Sequence, residues 1–382
     1  MSTAEARAAR RPWVIRRNSR THLGLIGLGG VLVVLAMIWG AGLPAFDQGQ
    51  VTRVLIYSIA IAGLNVSTGY TGMISVGHSA FFGLGAYTTG ILVVQFGWNA
   101  TYTLPVAIVV CFLTGLVVGL PALRIRGLYF AMVTLAFGVA FPEVIDRFPD
   151  LTGGSSGLTI RRTMLRPPEW TGLGLNQKSL WLYWLSAILL VLVMIVLKSL
   201  LRSRYGLALV AVRDNEIAAA ASGVNLAVVK TVSFGLSGGL TGLAGGLFAM
   251  FLGSLVADDS FTLLSAIVLL TGLMIGGQAT YLGPIVGGLV VVYLPYYTSD
   301  LGQGQVSAVL FGAALIAIIF IVPEGIVGGV LKLGRRFVRV LPAPPDLPTT
   351  GAAPDSGSAS PPEPHAASAA ASPTHAGRTE DA

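Results

Sequence analysis

Charged side chains are scarce in this sequence. Asp, Glu, Lys and Arg make up 11% of its 382 residues, whereas hydrophobic residues make up 54%. A soluble globular protein carries about 25% charged residues, so this composition excludes an ordinary soluble domain and predicts that lipid surrounds most of the chain. Cysteine is scarce as well: Cys111 is the only one, so no disulfide can form within the chain. Because it lies in an apolar run, we expect its side chain to be a small buried hydrophobic group.

Motifs for nucleotide hydrolysis and metal binding are also missing. A phosphate-binding loop needs Gly-Lys-Ser/Thr, but none of the four lysines follows a glycine. The four histidines (His22, His78, His365 and His375) lack metal-ligand spacing, and His78 is predicted to be a hydrogen-bonded packing residue. The net charge of +7 comes from basic residues at the ends of apolar runs, without an aromatic-interleaved stripe. The sequence therefore predicts no enzyme activity, no cofactor, no metal and no nucleic-acid binding.

Ionisable residues are absent from the centres of the long apolar runs. Proton- and sodium-driven carriers usually keep such residues inside the membrane as relays or ligands. Their absence argues against a carrier that couples itself to an ion gradient. Backbone carbonyls can also bind sodium, so a carrier of that kind stays open as an alternative.

The apolar runs predict an all-α polytopic membrane protein. A hydrocarbon core about 30 Å thick requires roughly 20 apolar residues per helix. We predict about ten spans, at 23–43, 51–69, 74–97, 101–121, 127–145, 180–200, 228–253, 260–280, 282–299 and 305–323. Eight spans with re-entrant segments are the alternative, because Gly-rich pieces can interrupt a helix.

Basic residues in short loops predict the orientation. The leader, residues 1–22, contains six arginines, and basic residues return after four, six and ten crossings. Both termini are therefore expected in the cytoplasm, although the basic loop at 146–179 falls outside. The transmembrane domain is assigned to 23–340. Residues 341–382 are rich in Pro, Ala and Ser and are predicted to form a disordered cytoplasmic tail.

One charged loop contains the signals of a short helix. Asp214 or Asn215 can cap its start, and Glu216 lies in the first turn, where the helix dipole favours an anion. Gly223 suits the left-handed conformation that ends a helix. A helix over 214–223 is too short to be stable alone in water. It is therefore either an interfacial helix between two spans or a helix that docks on a partner.

The sequence EIAAAASGVN, starting at Glu216, resembles the cytoplasmic coupling loop of ABC importer permeases. That signature is Glu-Ala-Ala, three residues and Gly; Ala219 and Gly223 fall at or near its positions, and Ile217 replaces the first Ala. Other segments resemble the branched-chain amino-acid type of ABC permease, and best its M-type subunit. They are LNVSTGYTGMISVGHSAFFGLGAYTTGIL (64–92), GLYFAMVTLAFG (127–138), TGGSSGLT (152–159), GGQATYLGPIVGG (276–288) and VPEGIVGG (322–329).

The resemblance implies that the loop at 201–227 couples the permease to an ATPase. Its helix would sit in a groove of a cytoplasmic ABC ATPase, with an apolar Ala face against the groove and charged residues paired to groove side chains. The expected ATPase-coupling residues are Arg213, Asp214, Glu216, Ala219 and Gly223. The implied partners are a second, related permease in a heterodimer, two ATPase subunits, an external solute-binding protein and membrane lipid. The implied location is the plasma or inner membrane of a prokaryote.

The Gly-rich segments at 68–86 and 276–288 are candidates for the translocation path. Irregular backbone is tolerated inside a membrane where it faces protein or a water-filled cavity. The candidate pathway-lining residues are Ser75, His78, Gly83, Gly276 and Gly277. For each glycine, close helix packing through a small residue is the alternative.

Three functions stay open at this point. The first is the transmembrane subunit of an ABC importer for branched-chain amino acids, and the second is the same machine importing urea or another small polar solute. The third is a secondary carrier or channel in which residues 214–223 form an ordinary interfacial helix.

The tail gives a first testable prediction. Deleting residues 345–382 should leave solute uptake largely intact, because a Pro/Ala/Ser-rich segment buries too little apolar surface to take part in the folded domain. Uptake and membrane abundance of the truncated chain, compared with the full chain, test this. Loss of uptake at normal abundance would contradict a passive tail.

Overall fold

The computed structural model describes residues 13–16, 31, 33–123, 127–174, 177–301, 309, 312, 313, 315–317, 320, 322 and 324–341. Most of the leader, parts of the first and last predicted spans, the loop arginines 124 and 126 and the tail beyond 341 lie outside these residues.

Helices dominate the described chain. In chain order they are 33–41 (α1), Ala45–Leu64 (α2), His78–Val94 (α3), Ala100–Gly119 (α4), Leu128–Asp146 (α5), Pro149–Thr152 (α6), Lys178–Arg202 (α7), Arg204–Asp214 (α8), Glu216–Ala221 (α9), Leu226–Leu252 (α10), Ala257–Ser260 (α11), Leu263–Gly276 (α12), Gly283–Leu301 (α13) and Ile326–Phe337 (α14). Four short strands occur as well: Trp13–Arg16 (β1), Leu158–Thr159 (β2), Ser254–Leu255 (β3) and Val338–Leu341 (β4).

Six helical segments of the described chain are long and apolar enough to cross a membrane. They are Ala45–Tyr70, Ala100–Leu123, Tyr129–Asp146, Lys178–Arg202, Leu226–Leu252 and Ala257–Gly276, and two shorter apolar helices lie at His78–Val94 and Gly283–Thr298. These eight segments coincide with eight predicted spans to within a few residues. The two other predicted spans, 23–43 and 305–323, lie partly outside the described residues.

The long helix α10 lies at the centre of the bundle, in contact with α2, α3 and α4. Small residues on all sides of α10 allow these contacts. A Cβ atom on Gly245 would fall on the backbone carbonyl of Phe82 in α3, and one on Gly85 would fall on the carbonyl of Gly242. A Cβ on Gly115 of α4 would lie 2.9 Å from the Cα of Gly235. Backbones this close are typical of helices that associate in lipid.

Both Gly-rich segments that were predicted to break a helix do so. After α2 the chain continues as a π-helix over Asn65–Tyr70 and then runs without helix until His78. Likewise α12 ends at Gly276 and α13 begins at Gly283. Because no water reaches backbone groups in a bilayer core, such breaks need protein partners for their free N–H and C=O groups.

Asn65 joins the two breaks. Its Oδ1 accepts a hydrogen bond from the amide of Ala279 at 2.9 Å, and its Nδ2 donates one to the carbonyl of Thr280 at 3.0 Å. Ala279 has a φ of 53°, a left-handed conformation that is unfavourable for a residue other than glycine. The Asn65 amide therefore holds a strained turn of one broken segment against the start of the other.

The small strands tie together distant parts of the chain. β2 and β3 pair antiparallel with Leu158 opposite Leu255, so the loop after α6 lies against the C-terminal end of α10. β1 and β4 pair in parallel with Trp13 opposite Val338. Two segments that pair lie on the same side of a membrane, so the number of crossings between them is even. Both predicted parses, ten spans and eight, have this property.

Candidate functional site

The predicted short helix exists as α9, bounded by the expected residues. Asn215 caps it, because its Oδ1 accepts hydrogen bonds from the amides of Ile217 and Ala218, both at 3.0 Å. At the other end Gly223 has a φ of 85° and donates to the carbonyl of Ala220. Together with the bond from the next amide to the Ala219 carbonyl, this is the Schellman arrangement that ends helices. The helix has six residues, shorter than the predicted 214–223.

The inner face of α9 packs on the permease itself. Ala219 is 4% exposed and belongs to a buried cluster with Tyr70, Leu209, Val212 and Val229. Ala219 was expected to seat in an ATPase groove, but the structure places its methyl group inside the chain. The alanine is small enough to let α9 approach α8 and α10 closely, so its role here is to seat the loop on the bundle.

Tyr205 of α8 fastens the same cluster to α10. Its hydroxyl donates a hydrogen bond to the carbonyl of Val229 at 3.0 Å. Desolvation by burial raises the pKa of Tyr205 to about 12, so the hydroxyl keeps its proton, and remains a donor, throughout the physiological pH range.

An ion pair joins α9 to the central helix. The carboxylate of Glu216 lies 2.7 Å from Nζ of Lys230, whose side chain is 5% exposed, while that of Glu216 is 28% exposed. Glu216 was expected to pair with an ATPase, but in this structure its partner is a lysine of its own chain. A buried ammonium group needs such a partner, because an isolated buried charge is strongly destabilising. A small cavity of about 30 Å³ borders both residues, comparable with the volume of one water molecule.

The outer face of α9 carries exposed apolar residues. Ile217 is 75% exposed, and Ala218, Ala220 and Ala221 are exposed beside it. An isoleucine side chain left in water keeps its apolar area exposed, so contact of this face with a partner would stabilise it. In the sequence Ile217 is only a departure from the coupling-loop signature. It is the second residue of α9, and its exposure makes it a candidate contact residue that the signature does not include.

Arg213, Asp214 and Gly223, the three other predicted coupling residues, are exposed at the edges of α9. Arg213 packs against the break after α2, since a Cβ on Gly72 would lie 3.2 Å from its Cγ. It also borders an open cavity of about 270 Å³ with Met274, Gln278 and Glu324. Helix α9, the break after α2 and the turn between α12 and α13 therefore lie at one end of the bundle.

Two of the predicted pathway residues, Ser75 and His78, form a buried hydrogen-bond network. The Nδ1 atom of His78 lies 2.8 Å from Ser75 Oγ, and its Nε2 lies 2.6 Å from Ser237 Oγ of α10. Ser237 also donates to the carbonyl of Gly63 at 2.6 Å, so its only proton is used there. His78 Nε2 must then carry the proton it shares with Ser237, and Nδ1 accepts from Ser75.

The predicted glycines are explained by close packing. A Cβ on Gly83 would collide with the ring of Phe141, and one on Gly276 would collide with the carbonyl of Gly283. Gly277 has a φ of 113°, which a side chain rarely allows. Close helix packing therefore accounts for Gly83 and Gly276, and the backbone conformation accounts for Gly277, without a role in the path. The predicted packing role of His78 fits its network in the same way.

The sequence also matches a known family. Residues 49–319 match the family model described as branched-chain amino acid transport system / permease component. The chain belongs to this family. It is thus a multi-pass membrane permease of the ABC type, as the motifs predicted. No solved structure matches the chain.

Relatives of this chain are named for different solutes. The high-affinity branched-chain amino acid transport system permease protein LivM of Salmonella typhimurium is 28% identical over 317 residues, which cover 77% of this chain and 73% of the relative. LivM of Escherichia coli K12 gives the same figures. The autoinducer 2 import system permease protein LsrC of Salmonella paratyphi B is 29% identical, covering 76% of this chain and 84% of the relative.

The ion pair gives a testable prediction. Glu216→Gln should lower the stability of the permease in detergent by about 3 kcal/mol, because it leaves the Lys230 ammonium buried without its countercharge. Lys230→Met in the same chain should restore much of the loss, since it removes the stranded charge. Thermal unfolding of both single variants and the double variant measures the coupling. Additive effects in this cycle would show that the two side chains do not interact.

Proposed function

We propose that the protein is the transmembrane subunit of a binding-protein-dependent ABC importer, with branched-chain amino acids as its solutes, and that separate ATPase subunits drive it through α9. The observation that carries the proposal is the two-sided character of α9. One face is fastened to the bundle by Ala219 and by the Glu216–Lys230 pair, and the opposite face presents Ile217 to the outside. A helix that only bridged two spans would need the first face but not the second.

The fastened face gives a physical route for coupling. Lys230 and Ser237 are seven residues apart on α10, which places them two turns apart on one helix face. Lys230 binds the coupling helix, and Ser237 binds His78 at the first residue of α3. A displacement of α9 would therefore move α10 and, through it, the break between α2 and α3. This region is one of the two helix breaks described above.

The partners follow from what this chain lacks. Its lysines do not form a phosphate-binding loop, so ATP hydrolysis needs other chains. We infer two cytoplasmic ATPase subunits, a second related permease to complete a heterodimer and an external binding protein that delivers the solute. In this arrangement α9 lies in the cytoplasm, and the loop around β2 and β3 lies outside.

The solute is inferred from the relatives. The two LivM proteins are named for branched-chain amino acids, and LsrC is named for autoinducer 2. The LivM likeness favours branched-chain amino acids, because the sequence motifs match the M-type permease best. Autoinducer 2 and urea are the alternative solutes, and a carrier that works without ATPases is the alternative machine.

Reconstitution distinguishes these alternatives. The permease is placed in liposomes with its partner permease, ATPases and binding protein, and the entry of labelled leucine, urea and autoinducer 2 is followed with and without ATP. We expect leucine entry that depends on ATP. ATP-dependent entry of another solute would support the ABC importer but identify a different substrate. Entry of any solute through this chain alone would contradict the coupling role of α9.

Ile217 tests the coupling surface separately. Ile217→Asp should abolish ATP-dependent uptake and reduce co-purification of the ATPases, because it places a charge in an apolar contact. Folding should be unaffected, since the side chain is 75% exposed. Phe96→Asp is the matched control, because Phe96 is 64% exposed in the loop after α3, at the opposite end of the bundle. Normal ATPase binding by the Ile217 variant would rule out this contact.

A further inference from the structure

The last described helix, α14, has a sharply divided surface. Its sequence is IVGGVLKLGRRF. At 100° per residue, positions 326, 330, 333 and 337, all large and apolar, fall within an arc of about 60°. The basic positions 332, 335 and 336 fall within an arc of about 100° on the other side. Helices Ala100–Gly119 and Leu263–Gly276, by contrast, contain no charged residue on any side.

The beginning of α14 is covered by protein. Val327 is 8% exposed, and Gly325, just before the helix, packs directly on Gly277 in the turn after α12. Further along, Val330 is 64% exposed and Leu333 is 60% exposed. The apolar side of α14 therefore leaves the bundle surface after one turn, and the described part of the chain does not cover it.

Positive charge accumulates around the second half of α14. The segment 332–339 contains four basic residues and no acidic one. Lys332 is exposed and pairs with the exposed carboxylate of Glu324. The parallel pairing of β4 with β1 also brings Arg16 of the basic leader into the same small sheet as Arg339. Two basic segments of the sequence are thus joined in one small sheet.

Neither bulk water nor the hydrocarbon core suits such a helix. In water the exposed side chains of Val330, Leu331 and Leu333 would lose the free energy of burial. In the hydrocarbon core three basic residues within 12 would be very costly. At the boundary between headgroups and acyl chains, both faces find a suitable environment.

We propose that α14 is an interfacial helix that binds anionic lipid. Its apolar face, centred on Val330 and Leu333, is immersed at the headgroup boundary, and the basic residues from 332 to 339 contact the phosphates of the anionic leaflet. The anionic surface is the occupant that fits the charge, because each nearby Lys or Arg gains attraction to it. This inference does not depend on the coupling role of α9.

Lipid quenching in proteoliposomes tests the proposal on the full chain. Leu333→Cys is labelled with an environment-sensitive fluorophore, and the unmodified chain is the blank because Cys111 is fully buried. Ser222→Cys is the aqueous control, since Ser222 is exposed at the same end of the bundle. Vesicles contain phosphatidylglycerol with phosphatidylcholine, or phosphatidylcholine alone. Nitroxide-labelled lipid and dissolved iodide serve as the two quenchers.

We expect the label at 333 to be quenched by the nitroxide lipid, and the label at 222 by iodide, in the anionic vesicles. In the variant K332Q/R335Q/R336Q, carrying the same label, the ratio of lipid to iodide quenching should fall by roughly tenfold or more, because each charge near an anionic surface contributes about a factor of five. Raised salt should also lower the ratio of lipid to iodide quenching for the labelled helix that keeps its three basic residues, because salt screens their attraction to the anionic surface.

Three results would overturn the proposal. Equal iodide quenching at 333 and 222 would place the apolar face in water. Protection of the label at 333 only after the ATPases are added would identify a protein partner instead. Identical lipid quenching in the two kinds of vesicle, unchanged in the neutralised variant, would show that anionic lipid is not recognised.

Discussion

Close backbone contact around α10 is the constraint on which the other features of the bundle depend. Lipid tails are as apolar as leucine, so helices in a membrane gain little from hiding large side chains and associate instead by packing closely. Gly245, Gly242 and Gly85 bring α10 and α3 together without side chains between them. The cost of this arrangement is that a helix rich in glycine has few bulky side chains to fix its position. The hydrogen bonds of Ser237 with His78 and Gly63, and the ion pair of Lys230 with Glu216, fix the position of α10 instead.

The same constraint explains why buried polar groups gather at the helix breaks. A chain that interrupts a helix in a bilayer exposes backbone groups that lipid cannot satisfy. Asn65 meets this need for the turn containing Ala279, and the hydroxyl of Thr134 does so for the amide of Val76 between α2 and α3. These breaks therefore have defined geometries rather than loose ones. In the proposed coupling route, a displacement of α10 would reach such a defined junction.

The spans and the ends of α9 were predictable because their signals are local. Apolar length determines a span, and Asn215 and Gly223 act on amides and carbonyls within a few residues of themselves. The direction in which Ala219 and Glu216 point was not predictable, because it depends on Lys230 in another helix and on Tyr70, far earlier in the chain. Asn65 and its partners are separated by 214 and 215 positions, and a single sequence has no signal for that contact.

The turn after Gly276 also limits the reach of the chain across the bilayer. Helix α12 has 14 residues and rises only about 21 Å, so it spans the hydrocarbon core, about 30 Å thick, only together with the short helix α11 before it. A bilayer thicker than this combined segment is accommodated by thinning of the neighbouring bilayer or by burial against longer helices. Leu264 and Ile267 of α12 are exposed on its outer surface, so part of the mismatch falls on lipid. A change in bilayer thickness would therefore act on the hairpin of α12 and α13, whose turn is hydrogen-bonded to Asn65.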